Sequence, residues 1–243
     1  MTIENLKPAA HWFFYDESDK MGTESEMSDE KYHEKAFEKI TAEKRKRIFD
    51  IAIAEFSSKG YNAASINTIA RDAGISIGGM YRYFKSKEAL FMSILDLGYT
   101  LLEEALTRIL DGGGNIFEKI ETMLRVSVEY SKNYREINQI YIDVSTEGLS
   151  SLAKKISLKM EGITAKLYHE TIADAAKKGL LRKDLHPGIA SFCIDNLVMM
   201  VQFAYCSDYY MERMKLYAGT AADSEEEMVN GMANFIKNAI SAQ

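Results

Sequence analysis

Two short helices joined at a glycine, with a third helix start directly behind them, occupy residues Ser65–Phe91, SINTIARDAGISIGGMYRYFKSKEALF. Ile66, Ile69, Ala70 and Ala73 recur at helical spacing, and Gly74 stands where a helix C-terminus takes a left-handed residue. Ser76 can cap the helix that follows, and Ser86 can cap another whose first turn carries Lys87 and Glu88. A turn of this kind sets its helices at roughly 90 to 120°, the layout of a helix-turn-helix DNA reader.

The second of these helices, from Ser76 to Tyr83, is the predicted recognition helix. About eight residues at 1.5 Å rise give roughly 12 Å, matched to a major groove about 12 Å wide. Met80 and Phe84, four apart, are expected to face inward as core. Gly78 and Gly79 each cost about 1 kcal/mol of helix propensity relative to Ala. Close approach of the backbone to DNA is a reason to tolerate that cost. Tyr81 and Tyr83 offer phenolic donors to phosphates, Ile77 can pack on a thymine methyl, and Arg82 alone could hold a guanine bidentately. Lys87 stands at a helix N-terminus, where an anion is welcome. With Lys46, Ser65, Asn67, Ser76, Gly78 and Gly79 these complete the expected DNA-binding set.

The segment resembles the DNA-binding domain of the tetracycline-repressor (TetR) family of bacterial transcription regulators. The resemblance rests on Ile48 to Phe56 with Gly60-Tyr61, Ile69-Ala70, Ala73-Gly74-Ile75-Ser76, Gly79-Met80-Tyr81, Tyr83-Phe84 and Ser86 to Phe91. It implies that the positions of Asn67, Tyr81, Tyr83 and Lys87 touch DNA, and it favours repression over activation. Two departures limit it. Gly79 stands where the family often has Thr, and Ile77-Gly78 replace polar readers. The operator sequence is therefore not legible.

Charge supports the same placement. The net charge is -6, yet residues 1–40 hold five Lys against ten acids, whereas 41–90 hold nine Lys/Arg against five acids. The basic segment is the one that carries the reader, as phosphate contact requires. Within it, Lys44-Arg45-Lys46-Arg47 reads either as a solvated helix face or as a set of phosphate contacts. A helix running from about Ser28 unbroken into that tetrad is expected, stitched by Lys and Glu at i,i+4 spacing. The aromatic cluster His11-Trp12-Phe13-Phe14-Tyr15 reads as a docked leader, or as an arm that covers a partner or plugs a pocket.

The expected fold is all-α, with about nine helices: an extension over 1–40, partly helical; a three-helix reader over 41–90; and a helical effector-binding and dimerisation domain over 91–243. Breaks are expected after Asp111 at three glycines, near Tyr134, near Gly148, between Gly179 and Pro187, and at Ser224. The last two helices carry apolar residues on more than one face. Phe192, Leu197, Phe203, Met228, Met232, Phe235 and Ile236 are the expected dimer interface, the resemblance implying a four-helix bundle between copies. Two readers about 34 Å apart would then address a two-fold operator. Met123, Tyr130, Tyr141, Tyr168, Asn196 and Met200 are candidate pocket residues, plain core being the alternative for each.

Cys193 and Cys206 show neither zinc nor disulfide spacing and read as buried small hydrophobes. No cofactor, metal or membrane contact is expected, and the cytoplasm is the expected location. The leading function is a homodimeric repressor released from operator DNA by a small apolar or aromatic effector. A DNA-binding regulator governed by a protein partner is the alternative. An all-α enzyme is a remote third, since the four His are scattered and no nucleophile-base pair is recognisable.

Overall fold

The computed structural model describes residues 31–146 and 150–242, so the aromatic leader and the break at Gly148 lie outside the described residues. Among these residues are eleven α-helices, no β-strand and one isolated bridge, Leu181 to Ser241. The chain divides into two compact units between Leu102 and Glu103, inside a helix rather than near residue 90.

The first unit holds α1 (Lys35–Glu38), α2 (Ala42–Ala63), α3 (Ile66–Asp72), α4 (Ile77–Tyr83) and the first part of α5 (Lys87–Asp111). The helix expected to run into the basic tetrad is broken at residues 39–41, and Thr41 accepts a hydrogen bond from Lys44 N–H to start α2. Phe37 explains the break. Its ring is 1% exposed and sits 4.7 Å from Phe84 and 5.2 Å from Phe49, which pins α1 to the reader's core. Glu34 N–H donates to the Tyr83 carbonyl at 2.9 Å, so residues 31–40 belong to the reader rather than to a separate extension.

Ile48, Phe49, Ala52 and Phe56 are buried along one stripe of α2, as the 3.6-residue period demands. Gly60 leaves the helix at φ +71° and ends that stripe. Glu55 also lies on the buried stripe. Burial pushes its carboxyl up, but hydrogen bonds from Lys59 and from Ser65 N–H outweigh this and hold it below the ordinary range. It thereby ties α2 to the start of α3.

The second unit contains the rest of α5, then α6 (Ile116–Asn133), α7 (Arg135–Thr146), α8 (Ser150–Lys177), α9 (Pro187–Cys206), α10 (Asp208–Ala218), a 3-10 turn (Gly219–Asp223) and α11 (Glu225–Ile240). Asn115 and Glu118 form a reciprocal capping box at α6. Pro187 opens α9 and Ser224 caps α11. At a mean hydropathy of 1.5, α9 is long and apolar enough to cross a membrane by length and composition alone. It packs instead against α6, α7 and α8, burying Ala190, Ile194, Val198, Val201 and Phe203.

Candidate nucleic-acid interface

The reading head is assembled from capped turns. Ser65 accepts from Thr68 N–H, Ser76 from Gly79 N–H and Ser86 from Ala89 N–H, so each serine spends its hydroxyl on starting a helix. Gly74 takes φ +71°, the left-handed residue that turns α3 into α4. Met80 and Phe84 are fully buried, which fixes the roll of α4 about its axis. The opposite side is then open: Ile77 is 40% and Tyr81 47% exposed, and Ser76, Gly78 and Arg82 are exposed too. Arg82 and Asn67 make no hydrogen bond or ion pair among the described residues. Both are available to a base edge or a phosphate.

Several expected contacts are committed elsewhere. Lys87 donates to the carbonyls of Tyr61 at 2.7 Å, Asn62 at 3.1 Å and Ala64 at 3.1 Å, with its ammonium 4.8 Å from the centre of the Tyr61 ring. In the protein without DNA these three bonds occupy its ammonium. Its charge closes the C-terminal end of α2, where the carbonyls lack helical partners. Tyr83 is half-buried, with its ring 5.9 Å from that of Phe37. Of the basic tetrad, Arg45 donates to the carbonyls of Glu38 and Ile40, Arg47 donates to that of Asp72, and Lys46 pairs with Asp50 on the surface. The tetrad thus works largely inside its own unit.

Gly78 separates protein from ligand demands. A Cβ built there meets nothing within 4 Å. The fold itself gives no reason for glycine, whereas a closely approaching DNA backbone does. Gly78→Ala is expected to stabilise the free protein by about 0.5–1 kcal/mol in urea melts. Fluorescence anisotropy should show operator affinity falling at least about tenfold, because each methyl would enter the contact surface. A stability gain with unchanged affinity would count against close approach.

A family model described as bacterial regulatory proteins, tetR family, matches residues 48–94, the segment that forms this head. This segment is of the TetR-family kind. The HTH-type transcriptional repressor KstR of Mycolicibacterium smegmatis is 33% identical over 82 residues, covering 34% of this chain and 40% of that protein. The first curated relatives are matched over 23–40% of their own length. For the whole fold, a TetR-family regulator from Chloroflexus aurantiacus superposes with a TM-score of 0.64 at 18% identity, covering 87% of this chain and 99% of that one. FadR of Bacillus subtilis, solved with stearoyl-CoA, gives 0.62 at 16%, covering 79% and 95%. At such identities the likeness is one of fold.

In the second unit, the expected interface residues fall into three groups. Phe192 and Phe235 are 69% and 65% exposed, and Ile189 on the same helix as Phe192 is 61% exposed. Leu197, Met228 and Met232 are half-buried. Phe203 and Ile236 are buried within their own unit, which corrects their assignment to a partner-facing surface. Phe203 packs with Ile142 and Cys206 and against the ring of Tyr210. Cys193 is exposed, contrary to expectation, and lines an apolar cleft of about 270 Å³ with Ile189, Leu197 and Phe235.

The expected pocket residues also divide. Asn196 donates to the Phe192 carbonyl at 2.7 Å, and Met200 is 38% exposed. Lying four and eight residues from Phe192, both share its side of the helix. Met123 and Tyr168 are buried, and Tyr130 is half-buried with its phenol pushed up to about 12, first by burial and then by Tyr134. Tyr141 donates to Glu161 at 2.9 Å. Sequence reading missed Asp195, whose carboxyl is pushed up to about 6 by burial and then by Glu161. The signal was available: Asp195 is the one charged residue in the whole of α9.

Proposed function

We propose that this chain is a homodimeric, cytoplasmic repressor that leaves its operator when a small molecule with apolar or aromatic surface binds the helical unit. The observation that carries the DNA-binding half is the roll of α4, with Met80 fully buried and Ile77, Gly78, Tyr81 and Arg82 turned outward. A reader built in this way has the groove-facing surface that major-groove recognition needs.

Dimerisation is supported by Ile189, Phe192 and Phe235, whose exposed apolar side chains are the kind of surface that marks an interface. A two-fold assembly places the same patch on both copies. The effector half is supported by the buried polar tips of the second unit and by solved neighbours of similar fold, one in complex with isovaleryl coenzyme A and operator DNA, another with stearoyl-CoA. Release from DNA is a shift of population toward a packing that the ligand prefers. Moving a 99:1 balance to 1:99 needs roughly 5.5 kcal/mol of differential binding, which two sites per dimer can share.

The test is a gel shift on DNA flanking the protein's own gene, at several salt concentrations and with an effector panel. A specific band that weakens steeply with salt and is released by one ligand class is the expected result. No specific band from folded dimer would refute self-regulation, and a band that survives every ligand would refute the sensor.

A further inference from the structure

The described chain enters the reading head at the C-terminal end of α4. There Glu34 N–H donates to the Tyr83 carbonyl at 2.9 Å, and the Glu34 carboxylate pairs with Lys85 at 2.9 Å. Three exposed cations gather at the same end. Lys44 holds its ammonium 5.9 Å from the centre of the Tyr83 ring, Arg82 precedes Tyr83 on α4, and Lys85 follows two residues behind it. Neither Lys44 nor Arg82 makes an ion pair among the described residues. The sequence that leads into this anchor has the opposite sign. Residues 16–30, which lie outside the described residues, hold seven acids against one lysine, a net charge equal to the -6 of the entire chain. A run of seven residues reaches at most about 25 Å, whereas the seven residues of α4 span about 10 Å. Residues 24–30 therefore have the length to cover the outward side of that helix.

We propose that residues 16–30 are a built-in competitor for DNA: their carboxylates occupy Lys44, Arg82 and Lys85 at the reading face, and a duplex must displace them to bind. This rests on the DNA-binding reading above and gives the same surface a second, internal occupant. Carboxylates offer these cations the charge that phosphates offer, and a tethered segment meets its target at an effective concentration on the order of millimolar. Only the uncovered fraction of heads is competent for DNA, and apparent affinity falls by that fraction. Such contacts are screened by salt, so the competition is strongest at low ionic strength. Non-specific duplex, held by charge without base contacts, is the first to drop below useful affinity. The competitor thus favours operator over bulk DNA at working concentrations.

The test is fluorescence anisotropy of the full-length protein with a labelled mixed-sequence duplex and, as a second polyanion, labelled heparin. The combined variant Glu24→Gln, Glu26→Gln, Asp29→Asn and Glu30→Gln should bind both at least about tenfold more tightly at low salt. The gain should shrink toward nothing as salt rises to about 0.5 M. A matched variant makes the same change of charge at exposed acids of the second unit, Glu170→Gln, Asp223→Asn, Glu226→Gln and Glu227→Gln. It should gain less than about threefold, because only the tethered acids act as an intramolecular ligand. A gain in affinity cannot come from a failure to fold. In the free wild type, zero-length carbodiimide crosslinks mapped by mass spectrometry should join carboxylates of residues 16–30 to Lys44 or Lys85, and saturating duplex should suppress them.

Equal affinity of the leader variant and the wild type, an equal gain from the matched variant, no crosslink to either lysine, or crosslinks that persist under saturating duplex would each overturn the competitor. Any of these, with the duplex still bound, would leave the DNA-binding reading standing. If neither wild type nor variant binds the duplex, that reading falls and the competitor falls with it.

Discussion

Replacing Lys87 by Met should loosen the reading head by about 2–4 kcal/mol, the loss expected when charge-assisted hydrogen bonds to three partly solvated carbonyls disappear together. Tyr61, Asn62 and Ala64 would be left with carbonyls that α2 cannot satisfy, because Gly60 has already broken the helix. The thermal midpoint of the first unit should drop by on the order of 10 °C. Operator affinity should fall with it and recover on cooling. A lysine that held a phosphate would behave differently: its loss would lower the slope of log affinity against log salt by about one and leave the midpoint nearly unchanged. Melting curves and a salt series on the same variant separate the two roles. An unshifted midpoint with a shallower slope would sink the capping role.

Introducing Asp at both Phe192 and Phe235 should break the proposed dimer without unfolding the protomer. Each ring is about two-thirds exposed in the isolated chain, so the protomer's own core loses little. In an interface, burying an aromatic is worth roughly 1.5–3 kcal/mol and a buried unpaired carboxylate costs more. The dissociation constant should rise by at least about a thousandfold in sedimentation equilibrium. Specific operator binding should then vanish at concentrations where the wild type binds, since one reader makes half the contacts. Phe203→Asp is the contrasting variant. At 5% exposure, with the rings of Tyr141 and Tyr210 near it, it should unfold the second unit instead. A double variant that remains dimeric would remove Phe192 and Phe235 from the interface.

Local chemistry explains what could be read in advance. Ser76 and Ser86 cap the helices they were expected to cap, Gly74 has positive φ, and Asn115 with Glu118 closes its box, because such motifs need only four or five residues of chain. The bonds of Lys87 to the end of α2 were not legible because its partners lie 23–26 residues away, where no local pattern points. The break before Thr41 was hidden by an alternation of Lys and Glu that suits a continuous helix, while Phe37, which forces the break, answers to Phe49 and Phe84. Cys193 came out exposed because a helix as uniformly apolar as α9 carries little periodic signal to say which face turns inward. Helix α10, without a buried residue, lacks the apolar stripe that would have announced it.

The burial of Met80 alongside the open surroundings of Gly78 divides the labour within a single seven-residue helix. Positions 77, 78, 81 and 82 are exposed, while position 80, with Tyr83 and Phe84 behind it, carries the packing that holds α4 in place. Random change at the four outward positions therefore leaves a foldable protein, and change at the fifth does not. Descendants of such a sequence can wander between operators by small steps, each intermediate still a working scaffold. An engineer randomising the same four codons inherits that freedom.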